Sequence, residues 1–144
     1  MITNKTTVLK GKPTDRKWHL IDLEGKTLGR VCTEIATLLM GKNKITFSYH
    51  RDDGDYVVCI NSDKIQVTGK KLNDKVYYWH TPWSGHLKSL TLKEMMNKDS
   101  RKVISHGVSK MLPKNKLRDL RLARLFVFTT SEHKYNDKIK NQNN

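Results

Sequence analysis

Tyr56-Val57-Val58-Cys59-Ile60 is an unbroken apolar run, rich in β-branched residues and introduced by Asp55. A strand of this composition cannot turn one face to water. It must be covered on both sides, as an inner strand of a helix-flanked parallel sheet is. Upstream, Leu28, Val31, Cys32, Ile35, Leu38 and Leu39 recur at helical spacing. Thr27 precedes them as a candidate N-cap, and Gly41 stands where a left-handed C-terminal cap belongs. Before that helix, Trp18-His19-Leu20-Ile21 reads as a short strand ended by Asp22 and Gly25. Strand, helix and covered strand in this order predict a βαβ unit with a right-handed crossover.

The second half is less regular. Ile65 and Val67 alternate, and Gly69-Lys70-Lys71-Leu72-Asn73-Asp74 turns the chain into Val76-Tyr77-Tyr78-Trp79, which predicts a hairpin with a basic tip. Thr81 to His86 has loop composition. Thr91-Leu92-Lys93-Glu94 is a capping box, with Leu90 and Met95 placed as its hydrophobic staple, so a short helix should start there. Val103, Ile104, Val108, Met111 and Leu112 mark a second helical stripe that Pro113 must end. A short basic helix around Leu117 and Leu120 and a closing strand at Leu125-Phe126-Val127-Phe128-Thr129 complete the pattern. The expected fold class is α/β, with a small, mixed and mostly parallel sheet flanked by helices, in a single domain. The expected boundaries are a basic N-terminal arm over residues 1–16, an α/β domain over 17–133 and a polar C-terminal tail over 134–144.

Charge then narrows the function. Lys and Arg number 28 against 14 for Asp and Glu, a formal net charge of +14. So large an imbalance repels itself in isolation, whereas on a polyanion it displaces counterions and becomes binding free energy. Nucleic acid is the expected partner. A membrane surface is not, because no basic amphipathic helix, lipidation signal or apolar stretch of spanning length is present. Cys32 and Cys59 form no Cys-x-x-Cys pair and sit among apolar neighbours, as buried thiols of a reducing compartment do. The polar, lysine-threaded start lacks a secretory or transit signature, so the expected location is the cytoplasm, with an organellar host left open.

The densest basic stretch runs from Arg101 to Arg124, where Arg101, Lys102, Lys110, Lys114, Lys116, Arg118, Arg121 and Arg124 are opposed only by Asp119. Arg118, Arg121 and Arg124, three residues apart, should form one helical ridge along a line of phosphates, with Met111-Leu112-Pro113 as a rigid elbow fixing its angle. A second basic set follows the first helix at Lys42, Lys44 and His50, and a third is the Lys70-Lys71 tip. Beside that tip, His80 is the aromatic placed best to stack on an unpaired base.

Two patterns imitate catalysis. Gly25-Lys26-Thr27 resembles the end of a phosphate-binding loop, but the motif's first glycine would fall at Leu20, inside a strand, so no cradle exists. His50, Asp52, Asp53 and Asp55 have oxygen ligands suited to magnesium, and a phosphate-handling or metal-dependent nucleic-acid enzyme is therefore the alternative function. Against it, Asp52-Asp53-Gly54 has ordinary turn composition. No catalytic residue, metal, cofactor or small-molecule substrate is expected. A double-stranded DNA binder is a weaker third reading, since neither a recognition helix nor a dimerisation heptad is visible.

Taken in order, Trp18 to Asp22, Gly25-Lys26-Thr27-Leu28-Gly29-Arg30, Gly41-Lys42, His50, Gly54-Asp55-Tyr56-Val57-Val58, Asn61, Thr68-Gly69-Lys70, Lys75-Val76-Tyr77-Tyr78, His80-Thr81 and Met111-Leu112-Pro113-Lys114-Asn115 resemble the thirteenth large-subunit ribosomal protein family in its bacterial form. The resemblance spans roughly residues 17 to 133. It implies a three-layer α/β fold, binding to large-subunit ribosomal RNA beside neighbouring ribosomal proteins, and a role early in subunit assembly. By position it implies RNA contacts at Arg30, Lys42, His50, Lys70, His80, Thr81, Lys114 and Asn115. Two positions depart from the family pattern: Lys110 replaces the usual glycine before Met-Leu-Pro, and His133-Lys134-Tyr135 stands for the usual His-Pro-His.

Overall fold

In the computed structural model, which describes residues 16–140, the apolar run is strand β2 (Tyr56–Ile60), the middle of a three-stranded sheet. It pairs in parallel with β1 (Trp18–Asp22) on one side and β5 (Leu125–Val127) on the other. Val57, Val58 and Cys59 are fully buried, the covering that their composition requires. Helix α1 (Leu28–Met40) connects β1 to β2, giving the expected βαβ unit. Gly41 ends α1 at φ 73° and ψ 27°, the left-handed cap that glycine adopts without a Cβ penalty. Thr27 stands at the N-cap, but its side chain makes no capping hydrogen bond.

Register assigns each side chain to a layer. Ile21, Val57, Cys59, Leu125 and Val127 share one face and pack with Val31, Cys32, Ile35 and Leu39 of α1 in the main core. The same core takes Val103, Ile104 and Val108 from helix α3 (Leu92–Met111). Leu38, expected with these, is only partly buried at the edge of the cluster. The opposite face carries Trp18, Tyr56 and Phe126, aligned by the pairings Trp18 with Tyr56 and Val58 with Phe126. Trp18 stacks on Tyr56 with centroids 4.4 Å apart and on Tyr135 at 5.1 Å, and Lys138 lies 5.0 Å over the Trp18 ring. Tyr135 and the short helix α5 (Asn136–Lys140), within the expected polar tail, thus form a thin third layer. Residues 1–15 of the expected arm and 141–144 of the tail lie outside the described residues.

The capping box forms as read: Glu94 N–H donates to Thr91 Oγ1 at 3.3 Å, and Thr91 N–H donates to Glu94 Oε2 at 2.8 Å. The two helical stripes are one run with a break at Asp99, whose carboxylate accepts from the Arg101 amide at 3.1 Å and so caps the second segment. Helix α4 (Leu117–Leu122) then precedes β5. The expected hairpin is corrected. Residues 71–74 form a single helical turn, α2 (Lys71–Asp74), and strand β3 (Val76–His80) pairs antiparallel with a following strand, β4 (Leu87–Thr91). The tip is therefore Thr81 to His86, and Lys70 and Lys71 sit at the base of the unit.

Candidate nucleic-acid interface

The acidic turn after α1 decides which cations can reach a partner. Gly54 runs so close to the end of α1 that a Cβ on it would lie 1.7 Å from the Leu39 carbonyl oxygen. That approach delivers three aspartates to three separate basic groups. Asp52 receives Arg124 as a two-pronged pair, Nη1 at 2.6 Å and Nη2 at 2.5 Å, while Arg121 Nε lies 3.7 Å away and Arg16 Nη2 3.5 Å away. Asp53 pairs with Arg51 at 3.2 Å. Asp55 faces His19 at 3.0 Å and Lys44 at 2.5 Å, and accepts the Lys17 amide at 3.0 Å. Burial works to raise the pKa of Asp52, but the Arg124 hydrogen bonds with the charges of Arg124, Arg16 and Arg121 outweigh it and hold the carboxyl below its ordinary value. Asp55 is held low in the same way, burial being outweighed by His19, Lys44 and the Lys17 amide.

Two sequence expectations are corrected here. Arg118, Arg121 and Arg124 are not one outward ridge: Arg121 is 1% exposed and Arg124 5%, and only Arg118 remains partly open. Arg124 Nη2 also donates to the Leu39 carbonyl at 3.3 Å, and Arg121 Nη2 to the Arg51 carbonyl at 3.1 Å. These arginines fasten α4 to the end of α1. Lys44 is likewise turned toward Asp55. The same geometry takes the aspartates away from metal binding, and among the described residues no group of three His, Cys, Asp or Glu is placed to hold an ion.

The remaining expected contacts lie in four places. Lys42 and His50 are exposed on the loop after α1. Lys114, Asn115 and Lys116 are exposed in the turn between α3 and α4, where the Asn115 side-chain oxygen accepts the Leu117 amide at 3.2 Å and so starts α4. Leu112 is buried and Met111 half-exposed, so the elbow exists as a packed corner. His80 is exposed at the end of β3, and the Thr81 amide donates to the His86 carbonyl at 3.4 Å across the hairpin tip. Strand alternation turns Tyr77 toward the core and leaves Tyr78 66% exposed, and in the hairpin tip Trp83 is 76% exposed, two further open aromatics beside His80.

The fourth place is a cleft that local sequence did not announce. Lys70 and Lys71 at the start of α2, Lys75 beyond it and Lys110 from α3 meet around a cavity of about 1190 Å³ that opens at the first turn of α1, beside Leu28 and Gly29. One carboxylate, Asp74, stands against the four lysines, and none of them joins an ion pair among the described residues. The wall is apolar and aromatic: Cys32, Val67, Leu92 and Met111, with the Tyr77 and His106 rings edge to face at 5.2 Å. Desolvation, then the charges of Lys110 and Lys75, lower the pKa of His106. Burial raises the Cys32 thiol to about 11, so that wall is not nucleophilic.

The family described as Ribosomal protein L13 matches residues 16–134. Over 129 residues the sequence is 53% identical to the large ribosomal subunit protein uL13 of Clostridioides difficile, covering 90% of each chain. It is 48% identical over 129 residues to the uL13 of Thermotoga maritima, covering 90% of this chain and 87% of that one. For the uL13 of Thioalkalivibrio sulfidiphilus the identity is 44% over 131 residues, 91% and 92% of the two chains.

Proposed function

The chain belongs to the ribosomal protein L13 family, structural constituents of the large ribosomal subunit and not enzymes, and on that premise we propose that it binds large-subunit ribosomal RNA and supports early assembly of the subunit. The observation that carries this reading is the sorting of the basic residues. Arg121 and Arg124, which share Asp52, are inside, while Lys42, Lys70, Lys71, Lys110, Lys114 and Lys116 stay exposed outside every ion pair among the described residues. Such cations gain nothing from their own fold, and they gain counterion release on a phosphate backbone. Arg30, His50, His80, Thr81, Asn115 and Arg118 are the further RNA contacts of this reading. Arg121, Arg124 and Lys44 act one step back, by holding the loop and helix that present it.

Neighbouring ribosomal proteins complete the set of partners, and the working place is the ribosome of a bacterial cytoplasm. No helix among the described residues is long and apolar enough to cross a membrane. The test is sedimentation of a lysate from cells carrying the tagged chain, together with binding of the purified chain to transcribed large-subunit ribosomal RNA. The chain should travel with large subunits through moderately high salt and prefer ribosomal RNA to a generic duplex. A chain that sediments free, or that binds the two RNAs alike, overturns the reading.

A further inference from the structure

We propose that the lysine-rimmed cleft between α1, α2 and α3 receives one unpaired nucleotide of the bound RNA, its base against the apolar wall and its phosphate at the rim. This rests on the RNA reading above and names the part of the RNA that enters. The cavity, about 1190 Å³, exceeds the usual size of small-ligand pockets, roughly 300 to 1,000 Å³, so a nucleotide has room in it. Its wall offers an apolar and aromatic surface at Tyr77, Val67 and Met111, whereas its rim offers Lys70, Lys71, Lys110 and Lys75, whose Nζ lies 5.2 Å over the Tyr77 ring. A ligand matching both must join an apolar plate to an anion. A nucleotide does so, and a base still paired within a duplex does not have its faces free.

The end of α1 adds to the rim. The Thr27 side chain makes no capping hydrogen bond and the first turn has no acidic residue, so the positive end of a 13-residue helix, at Gly29 in the cavity lining, lies beside the lysines without a side-chain cap. Three residues beyond Met111 stand Lys114 and its neighbours, a run of cations along which the RNA strand can continue. An acidic, apolar protein segment fits the pocket chemistry but not that continuation.

Gly29 supplies the test. Open space surrounds the position a Cβ would take, and glycine is the weakest ordinary residue in a helix, so Gly29→Phe should fold and fill the mouth of the cleft without removing a charge. Affinities of the full chain would be measured for an unstructured RNA oligomer, for an RNA duplex of equal phosphate number and for transcribed large-subunit ribosomal RNA. Gly29→Phe should weaken the single-strand and ribosomal RNA complexes by roughly 5- to 100-fold, the loss of one stacked base, with the salt slope unchanged. Ultraviolet crosslinking of the wild-type chain to ribosomal RNA should place a nucleotide on the peptides containing Tyr77 or His106, a readout independent of how the variant folds. If Gly29→Phe binds all three RNAs like wild type, or if crosslinks avoid both peptides, insertion is wrong while the RNA reading stands. A wild-type chain that does not bind ribosomal RNA removes both. A variant with normal RNA binding that no longer enters large subunits identifies a protein segment as the occupant and overturns the proposal.

Discussion

The Asp52 junction and the lysine cleft use the same sign of charge to opposite ends. At the junction, arginine forks are matched to a carboxylate and to backbone carbonyls, so their charge is consumed within the fold. At the cleft, four lysines face a single aspartate, and their charge is left for something else. Guanidinium is weakly hydrated, planar and able to satisfy several acceptors at fixed angles, whereas an ammonium group is strongly hydrated and keeps its freedom on a flexible stem. Net charge therefore says that a chain has a polyanionic partner, and the pairing of each cation says where.

The comparison breaks most readily at Asp52. Asp52→Ala leaves Arg124 and Arg121 buried without their carboxylate, and removal of one partner from such a pair costs about 3 to 5 kcal/mol. Denaturant unfolding would read it, and a loss below about 1 kcal/mol would mean that the junction is not structural. Ile35→Ala is the uncharged standard. Ile35 is fully buried between α1 and the sheet, and truncation there should cost roughly 2 to 5 kcal/mol. The cleft should behave in reverse. Lys70→Ala combined with Lys110→Ala should leave the unfolding midpoint near wild type and reduce the magnitude of the log affinity against log salt slope by about 1.4 to 1.8 if both make full phosphate contacts. An unchanged slope would move the RNA surface away from this rim.

The smallest effect separates the two regions by pH. His106 has a lowered pKa, so it contributes stability that is present above its ordinary value of 6.5 and declines as pH falls below it. Asp52 and Asp55 are held low, so their contribution is present above 3.8 and is lost as pH falls from there through their folded values. Stability against pH should show two falls. His106→Gln should remove the upper one and Asp52→Asn the lower; a single fall that survives both changes would show that neither region governs acid sensitivity.

The elements readable in the sequence are those with local causes. The α1 stripe, the Gly41 cap, the Thr91 box and the β2 run each depend on residues within a turn or a strand of one another. Strand β4 does not. Leu87-Lys88-Ser89-Leu90-Thr91 has neither alternation nor strong β-branching, and it is extended because β3 pairs with it and α3 starts from its last residue. The inward turn of Arg121 and Arg124 was hidden for a similar reason, since Asp52 lies 72 residues before Arg124. One signal was available. Three of the chain's 14 acidic residues fall between positions 52 and 55, and in so cationic a chain such a concentration needs partners brought from elsewhere. The cleft left no comparable trace, because its rim joins residues at the start of α2 to a residue of α3 some 40 positions later in the chain.

Gly107 works as the spacer of a caliper. A methyl group there would stand 2.7 Å from Cys32 Sγ, with both residues in the cleft wall. Helices α1 and α3 touch at this point through one backbone and one sulfur, so the distance between the jaws is encoded by a missing carbon atom. Gly107→Ala would lever the helices apart without touching a charge, changing the bore of the cavity while its rim chemistry stayed constant.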